Sequence, residues 1–448
     1  MSIERKDLFL PTVRSPVFLQ NRLYFLIMVA VLCTTVIGWF NPNSWCIIAL
    51  LACRLFDGNP IDNIKNAFSN RLFVVYFVFV LIDAAGFLHA ENEVKQGMII
   101  AKEATLVAIA FVFCAGTFAD ERTYRQLITV YCLVLLAASL YCLVMAFYHF
   151  IQTKDHSFFF YHPLAAPLHQ NAVFYSAYVL FGVIFLLSSY GEPAIGPLSA
   201  QGKRTLRYAL VLFFLGMLIL LSSRLLLVLT ALILAAIFLR RYSYRRNRRA
   251  LFIVISCIFL TILLLSVVHN PVRTRFRETA DANLTLVRQD SFQSYMHFTS
   301  LELRMLQWRF ALEILKAKHA WVFGVTPGDS QDLLDQKYTL SNMYIGNPAE
   351  GPNRHFRGFL GFNFHNQFLE TLVRSGLVGL LALLAIFVTL LARARKYQSW
   401  EALFIVLTIA VLFIPEAPLT MQQGVFLFCY FPLLALSRPE GGKTKNAK

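Results

Sequence analysis

The chain has 448 residues, of which 57% are hydrophobic and only 15% charged, with a formal charge of +16 and a mean hydropathy of +0.58. Those values lie far outside the range of a soluble enzyme and make the bilayer the solvent in which the sequence has to be read. An all-α, polytopic membrane protein is the fold class they imply.

The first 21 residues are polar, and the apolar block at 22–40 has no small-residue cleavage site, so it is expected to stay as a span and not to leave as a signal peptide. Further apolar blocks follow at 43–56, 72–89, 98–118, 127–151, 171–189, 206–222, 225–239 and 250–268, and again at 368–392, 401–415 and 420–437. Each is read as a helix crossing about 30 Å of hydrocarbon. That gives about twelve transmembrane helices; the second, eleventh and twelfth are short, and ten or eleven stays open. Lys and Arg settle the orientation. If the N-terminus is cytoplasmic, one face collects 25 of the 41 basic residues, including the run "RRYSYRRNRR" at 240–249. The short loops of the other face hold Lys95, Lys154 and Arg224. This positive-inside pattern puts both termini in the cytoplasm and reads the basic run as a topology anchor, with no nucleic-acid partner. The eight cysteines fall inside spans and are read as small apolar packers.

Arg224, in "LLSSRLLLVLT", sits in a tight connection between apolar blocks, where a charge is expensive and tends to be kept for a counter-ion; snorkelling to the headgroups is the plainer alternative. Between 269 and 364 the chain leaves the membrane. The sequence thus divides into spans 1–9 (1–268), a large exterior loop (269–364), and spans 10–12 with a tail (365–448). Within the loop, Leu301, Met305, Trp308, Leu312 and Leu315 recur at helical spacing, and the helix ends before "GVTPGD", whose Gly324, Pro327 and Gly328 demand a turn. Residues 341–363 read as loop. Arg304 and Trp308 lie one helical turn apart, as a ligand clamp or a structural cation–π pair.

All ten histidines fall at or beyond the outer ends of the expected spans, which makes that face the place to seek proton transfer. Three of the residues at the lip of the tenth span, His365, Asn366 and Gln367, open "HNQFLETLVRSGLVGLL". A helix N-terminus there supplies unpaired backbone donors that favour an anion, so His365 is a candidate base beside a bound phosphate or, more plainly, a capping residue. No HExxH, Cys/His cluster or phosphate-cradling GxxxxGK[ST] occurs, so no metal site, cofactor or ATP is expected.

Taken in order, "SSR" at 222–224, "RMLQWRF" at 304–310, the turn "GVTPG" at 324–328 and "HNQFLETLVRSGLVGLL" resemble the O-antigen ligase and polymerase superfamily, and "LHQNAVFYSAYVL" at 168–180 is similar to a further block. "GVTPG" departs from that family's turn in lacking a middle glycine. The resemblance implies a GT-C-like fold with a mostly helical periplasmic loop, and transfer of a glycan from undecaprenyl pyrophosphate to a lipid A-core acceptor at the outer side of the inner membrane. It implies His365 as general base, Arg224 and Arg304 as pyrophosphate ligands, and His169, Asn366 and Trp308 as further candidates. Membrane lipids are the remaining partner. An O-antigen polymerase shares these motifs; a protein O-oligosaccharyltransferase or a lipid-linked glycan transporter fits them less well.

Overall fold

Without water to satisfy it, a backbone in hydrocarbon pairs within its own segment. The computed structural model describes residues 22–116, 118–188, 199–241, 281–346 and 358–438, and among them the chain forms fifteen α-helices and no strand. In chain order these are α1 (Arg22–Ile37), α2 (Phe40–Leu55), α3 (Pro60–Ser69), α4 (Arg71–Ala85), α5 (Glu93–Cys114), α6 (Glu121–Thr153), α7 (Tyr161–Ala165), α8 (Ala172–Leu187), α9 (Ala200–Leu221) and α10 (Arg224–Arg241). The long segment that follows holds α11 (Ser300–Ala317) and α12 (Pro327–Leu340). The chain then returns as α13 (Gln367–Lys396), α14 (Trp400–Leu412) and α15 (Gln422–Leu436).

Each apolar block within the described residues coincides with one of these helices. The block at 250–268, the basic residues at 242–249, and His269 and His355 lie outside the described residues. Among the described residues, five helices are long and apolar enough to cross a membrane: α4 with its extension to Leu88, α5, α6, α9 and α13. A sixth joins them if α7 and α8, bent by 80° at a break, form one span, while α1, α14 and α15 are apolar but shorter. The hydropathy count of about twelve is larger because it takes in such shorter helices and the block at 250–268, which lies outside the described residues. The chain is a multi-pass membrane protein.

Two apolar cores organise it. The larger runs through the bundle, and its centre is α8 and α15, which are buried on nearly every side. The smaller core lies in the long segment, where Phe310, Leu334, Tyr338, Phe359 and Phe364 pack together, and reaches α13 through Leu372 and Val373. α12 was not distinguished in the sequence. Its Pro327 occupies the first helical turn, where the missing N–H is no loss.

The two cores are joined at a break in α13. Gly376 has φ 64° and ψ −162°, which interrupts the helical ladder. The groups freed by the break pair with the turn before α12. Val325 N–H donates to Val373 O (2.8 Å) and Thr326 N–H to Arg374 O (2.9 Å), while Leu377 N–H donates to Trp321 O (2.8 Å) and Val378 N–H to Val322 O (3.2 Å). Only glycines permit this approach: a Cβ on Gly324 would lie 2.3 Å from Arg374 O, and one on Gly376 would lie 2.2 Å from Val322 O. Thr326, at the middle position of the turn, has φ 93° and ψ 148°, a region that is essentially glycine's. Its hydroxyl offsets the strain by capping α12, accepting from Asp329 N–H (3.2 Å) and donating to the Asp329 carboxylate (2.7 Å).

Gly324→Ala and Gly376→Ala should each destabilise the detergent-purified protein by about 2 kcal/mol or more, read as a lower thermal midpoint, because backbone and not a flexible side chain must move. At residue 326 the usual preference should reverse. Thr326→Ala keeps the strain and loses the cap, so thermal unfolding should find it less stable than Thr326→Gly.

Candidate active site

The mouth of α13 is built from short polar side chains that satisfy backbone groups. Asn366 is the N-cap, and its side chain accepts from Leu369 N–H (3.0 Å). Gln367 holds the α14–α15 connection: its N–H donates to Phe413 O (2.8 Å) and Glu416 O (3.0 Å), and its side-chain carbonyl accepts from Leu419 N–H (2.8 Å). Two of the first-turn donors of this helix, the Gln367 and Leu369 N–H groups, are thus taken by the protein itself. Asn363 bonds His365 N–H (2.9 Å) through its side-chain oxygen and Thr420 Oγ1 (3.0 Å) through its amide. His365 itself adopts φ 47°, a left-handed conformation that turns the chain into the helix.

Those contacts bring Glu416 beneath His365. The imidazole Nδ1 lies 3.4 Å from Glu416 Oε2, and the other carboxylate oxygen accepts from Arg304 Nη2 at 2.8 Å. Arg304 also donates through Nε to Pro415 O (2.9 Å), so its guanidinium grips the connection at two points. Arg304 is aimed from the first turns of α11, which a full capping box between Thr299 and Glu302 starts. The Glu416 side chain is 10% exposed and those of Arg304 and His365 are 21% and 27% exposed. The three form a half-open cluster in which the carboxylate is most enclosed. Burial alone would push the Glu416 carboxyl up, yet the adjoining His365 and Arg304 together hold it below its ordinary range.

Of the residues singled out in the sequence, the fold brings His365 and Arg304 together, with Asn366 as the cap that positions the histidine. Arg304 is engaged with Pro415 and Glu416, and Trp308 takes no part in that link; its indole Nε1 is buried without a hydrogen-bond partner among the described residues. His169 is exposed, has φ 51°, and its carbonyl accepts from Gln423 of α15 (3.2 Å), which places it at the Glu416 end of the bundle. Arg224, half-buried, opens α10, a helix packed on α8, α9 and α14.

Glu416 was missed in the sequence. The signal was present as "IPEAPL", a single acid between two prolines in a short connection between apolar helices. Missed too was the support behind the mouth. Glu370 accepts from Phe364 N–H (3.3 Å) and pairs with Arg374 (2.7 Å), which also reaches Glu103 (3.6 Å).

The sequence model of the O-antigen ligase family matches residues 209–384, a stretch that runs from α9 through the break in α13 and includes Arg224, Arg304 and His365. No curated protein matches the chain.

A carboxyl held below its ordinary value of 4.5 contributes stability that is complete above that value and is lost as pH falls through the folded one. The midpoint of thermal unfolding should therefore fall more steeply with acidification below about pH 5 in the natural protein than in Glu416→Gln. Parallel slopes would show that the carboxylate is not held in this way.

Proposed function

We propose that this chain, whose residues 209–384 match the model of the O-antigen ligase family, moves an O-antigen glycan from undecaprenyl pyrophosphate to a sugar hydroxyl of lipid A-core. The reaction would take place on the periplasmic face of the inner membrane, in a chain of about twelve spans with 269–364 outside and both termini inside. The observation that carries the reading is Glu416, one carboxylate shared between a histidine and an arginine.

That arrangement suits the chemistry of a diphosphate leaving group. With Nδ1 turned toward Glu416, Nε2 of His365 is left to accept the proton of the acceptor hydroxyl, and the carboxylate steadies the imidazolium that results. The hydroxyl oxygen bonds to the anomeric carbon as the bond from that carbon to the diphosphate oxygen breaks. The diphosphate departs with the electron pair, toward the guanidinium groups of Arg304 and Arg224. Attack opposite the leaving group inverts the anomeric centre. Diphosphate leaves readily, so neither a metal nor a nucleotide is required. The order of "SSR", "RMLQW" and "HNQFL" along the chain favours a ligase over a polymerase.

Purified protein given undecaprenyl-pyrophosphate-linked glycan and lipid A-core should form the conjugate with EDTA present and ATP absent. Lengthening of the lipid-linked glycan with no product on lipid A-core would assign a polymerase instead. His365→Ala should abolish transfer while retaining donor binding. Arg224→Ala and Arg304→Ala should weaken donor binding by about 1.5–3 kcal/mol, the worth of a charge-assisted contact. Near-normal transfer by His365→Ala would remove it as the base. Reporter fusions at residues 245 and 340 should report opposite sides of the membrane.

A further inference from the structure

On the other flank of the first half of α13 lie two cavities that share a wall. One, of about 650 Å³, is lined mainly by apolar groups of α4, the turn before α12 and the second half of α13, among them Ile82, Ala85, Leu88, Val322, Phe323 and Val378. The ionisable groups in its lining are all basic residues: His89, Lys318, His319 and Arg374. Arg374 is 7% exposed, and its Nε is buried without a hydrogen-bond partner among the described residues. The second cavity, an open cleft of about 1160 Å³, has a mixed lining in which the acids Glu91, Glu93, Asp329, Asp332 and Asp335 outnumber the basic groups. His89, Lys318, Ala320 and Gly324 line both, so the two compartments meet at one basic rim.

Several acids of the cleft are already engaged. Asp329 accepts from Glu91 N–H and Asn92 N–H (3.0 and 2.9 Å), Asp332 pairs with Lys95, and Asp335 accepts from Gly361 N–H (2.9 Å). Glu91, Glu93, Gln336 and Thr339 remain exposed on the cleft wall. Carboxylates and amides in an open cleft are suited to sugar hydroxyls, whereas so many carboxylates repel a diphosphate. An apolar chamber, a lysine at its rim and an acidic polar cleft beyond form, in that order, the complement of a lipid chain, a phosphate and a glycan.

We propose that this paired cavity is the binding site of the acceptor glycolipid: its acyl part enters the chamber under Phe323, its phosphate meets Lys318 and His89, and its sugars lie along the cleft. The inference deepens the proposed function and rests on it for the identity of the acceptor. The acidic cleft separates this lipid from the donor, whose diphosphate is assigned to Arg304 and Arg224. Leu360 also lines the cleft, in the segment that runs on through Asn363 to His365, five residues from the base.

The test uses the full chain in lipid nanodiscs with a lipid A-core preparation lacking O-antigen as the probe. Ala85→Trp fills the chamber from an exposed position, and Lys318→Glu and Gln336→Ala change exposed rim and cleft side chains. Ala85→Trp and Lys318→Glu should each raise the acceptor KM about tenfold or more, and Gln336→Ala by a smaller factor, with donor KM and kcat at saturating acceptor within about twofold of the natural chain. Native mass spectrometry should show less lipid A-core retained by the first two variants. An unchanged acceptor KM in the folded variants, a raised donor KM, or retention of ordinary phospholipid in place of lipid A-core would overturn the assignment. If the natural chain retains lipid A-core and Ala85→Trp does not, while neither transfers glycan, the site stands and the ligase reading falls.

Discussion

A helix broken near a membrane has to find new partners for the N–H and carbonyl groups that the break releases, and in this protein one turn pairs with four of them. The segment from Trp321 to Thr326 lies along the break at Gly376 and takes up two carbonyls and two N–H groups of α13. An unsatisfied group there would cost several kcal/mol, so the turn and the helix constrain each other. The consequence is geometric. The first half of α13 becomes a short bracket with its own direction, held at its far end by the turn and at its mouth by Gln367. His365 stands at that mouth because both ends are held.

Charges buried behind the bracket add to its rigidity more than to its stability. Arg374 is flanked by Glu370 and Glu103, and Asp83 is hydrogen-bonded to Ser375 on the next residue of the same helix. Enclosing such groups carries a desolvation penalty of several kcal/mol per ion, which their mutual attraction roughly offsets. What the cluster secures is a single arrangement. Glu370 passes it to the backbone of Phe364, and Lys102 extends it to the α14–α15 connection by donating to Thr420 O (2.6 Å). The connection that carries Glu416 is thereby gripped by Lys102, Arg304 and Gln367, from α5, α11 and α13.

Glu416 in turn couples a titrating side chain to a permanent cation. The carboxylate lies between the His365 ring and the Arg304 guanidinium, so both side chains are oriented from one point. The Arg304 guanidinium faces two demands, from Glu416 and from any anion that enters the half-open side of the cluster. Its donors are numerous enough to serve both, which a lysine at that position would not match.

Much of this was legible in the sequence because it depends on local periodicity. Apolar runs of bilayer length located the helices, the spacing of Leu301, Met305, Trp308, Leu312 and Leu315 located α11, His365 stood out at the lip of an apolar run, and Arg304 stood out one helical turn from Trp308. α12 was not legible, since its composition is largely polar and little of it forms an apolar stripe. Nor was Glu416. A carboxylate between two prolines has no pattern of its own, and its partner Arg304 lies 112 residues away in the chain. Only packing decides which distant side chains meet, and the same holds for the pairing of the turn with the break in α13. The sequence by itself determined where helices form and which of their ends are polar. The tertiary structure decided which ends face one another, because that depends on satisfying backbone groups and charges between segments no local spacing relates.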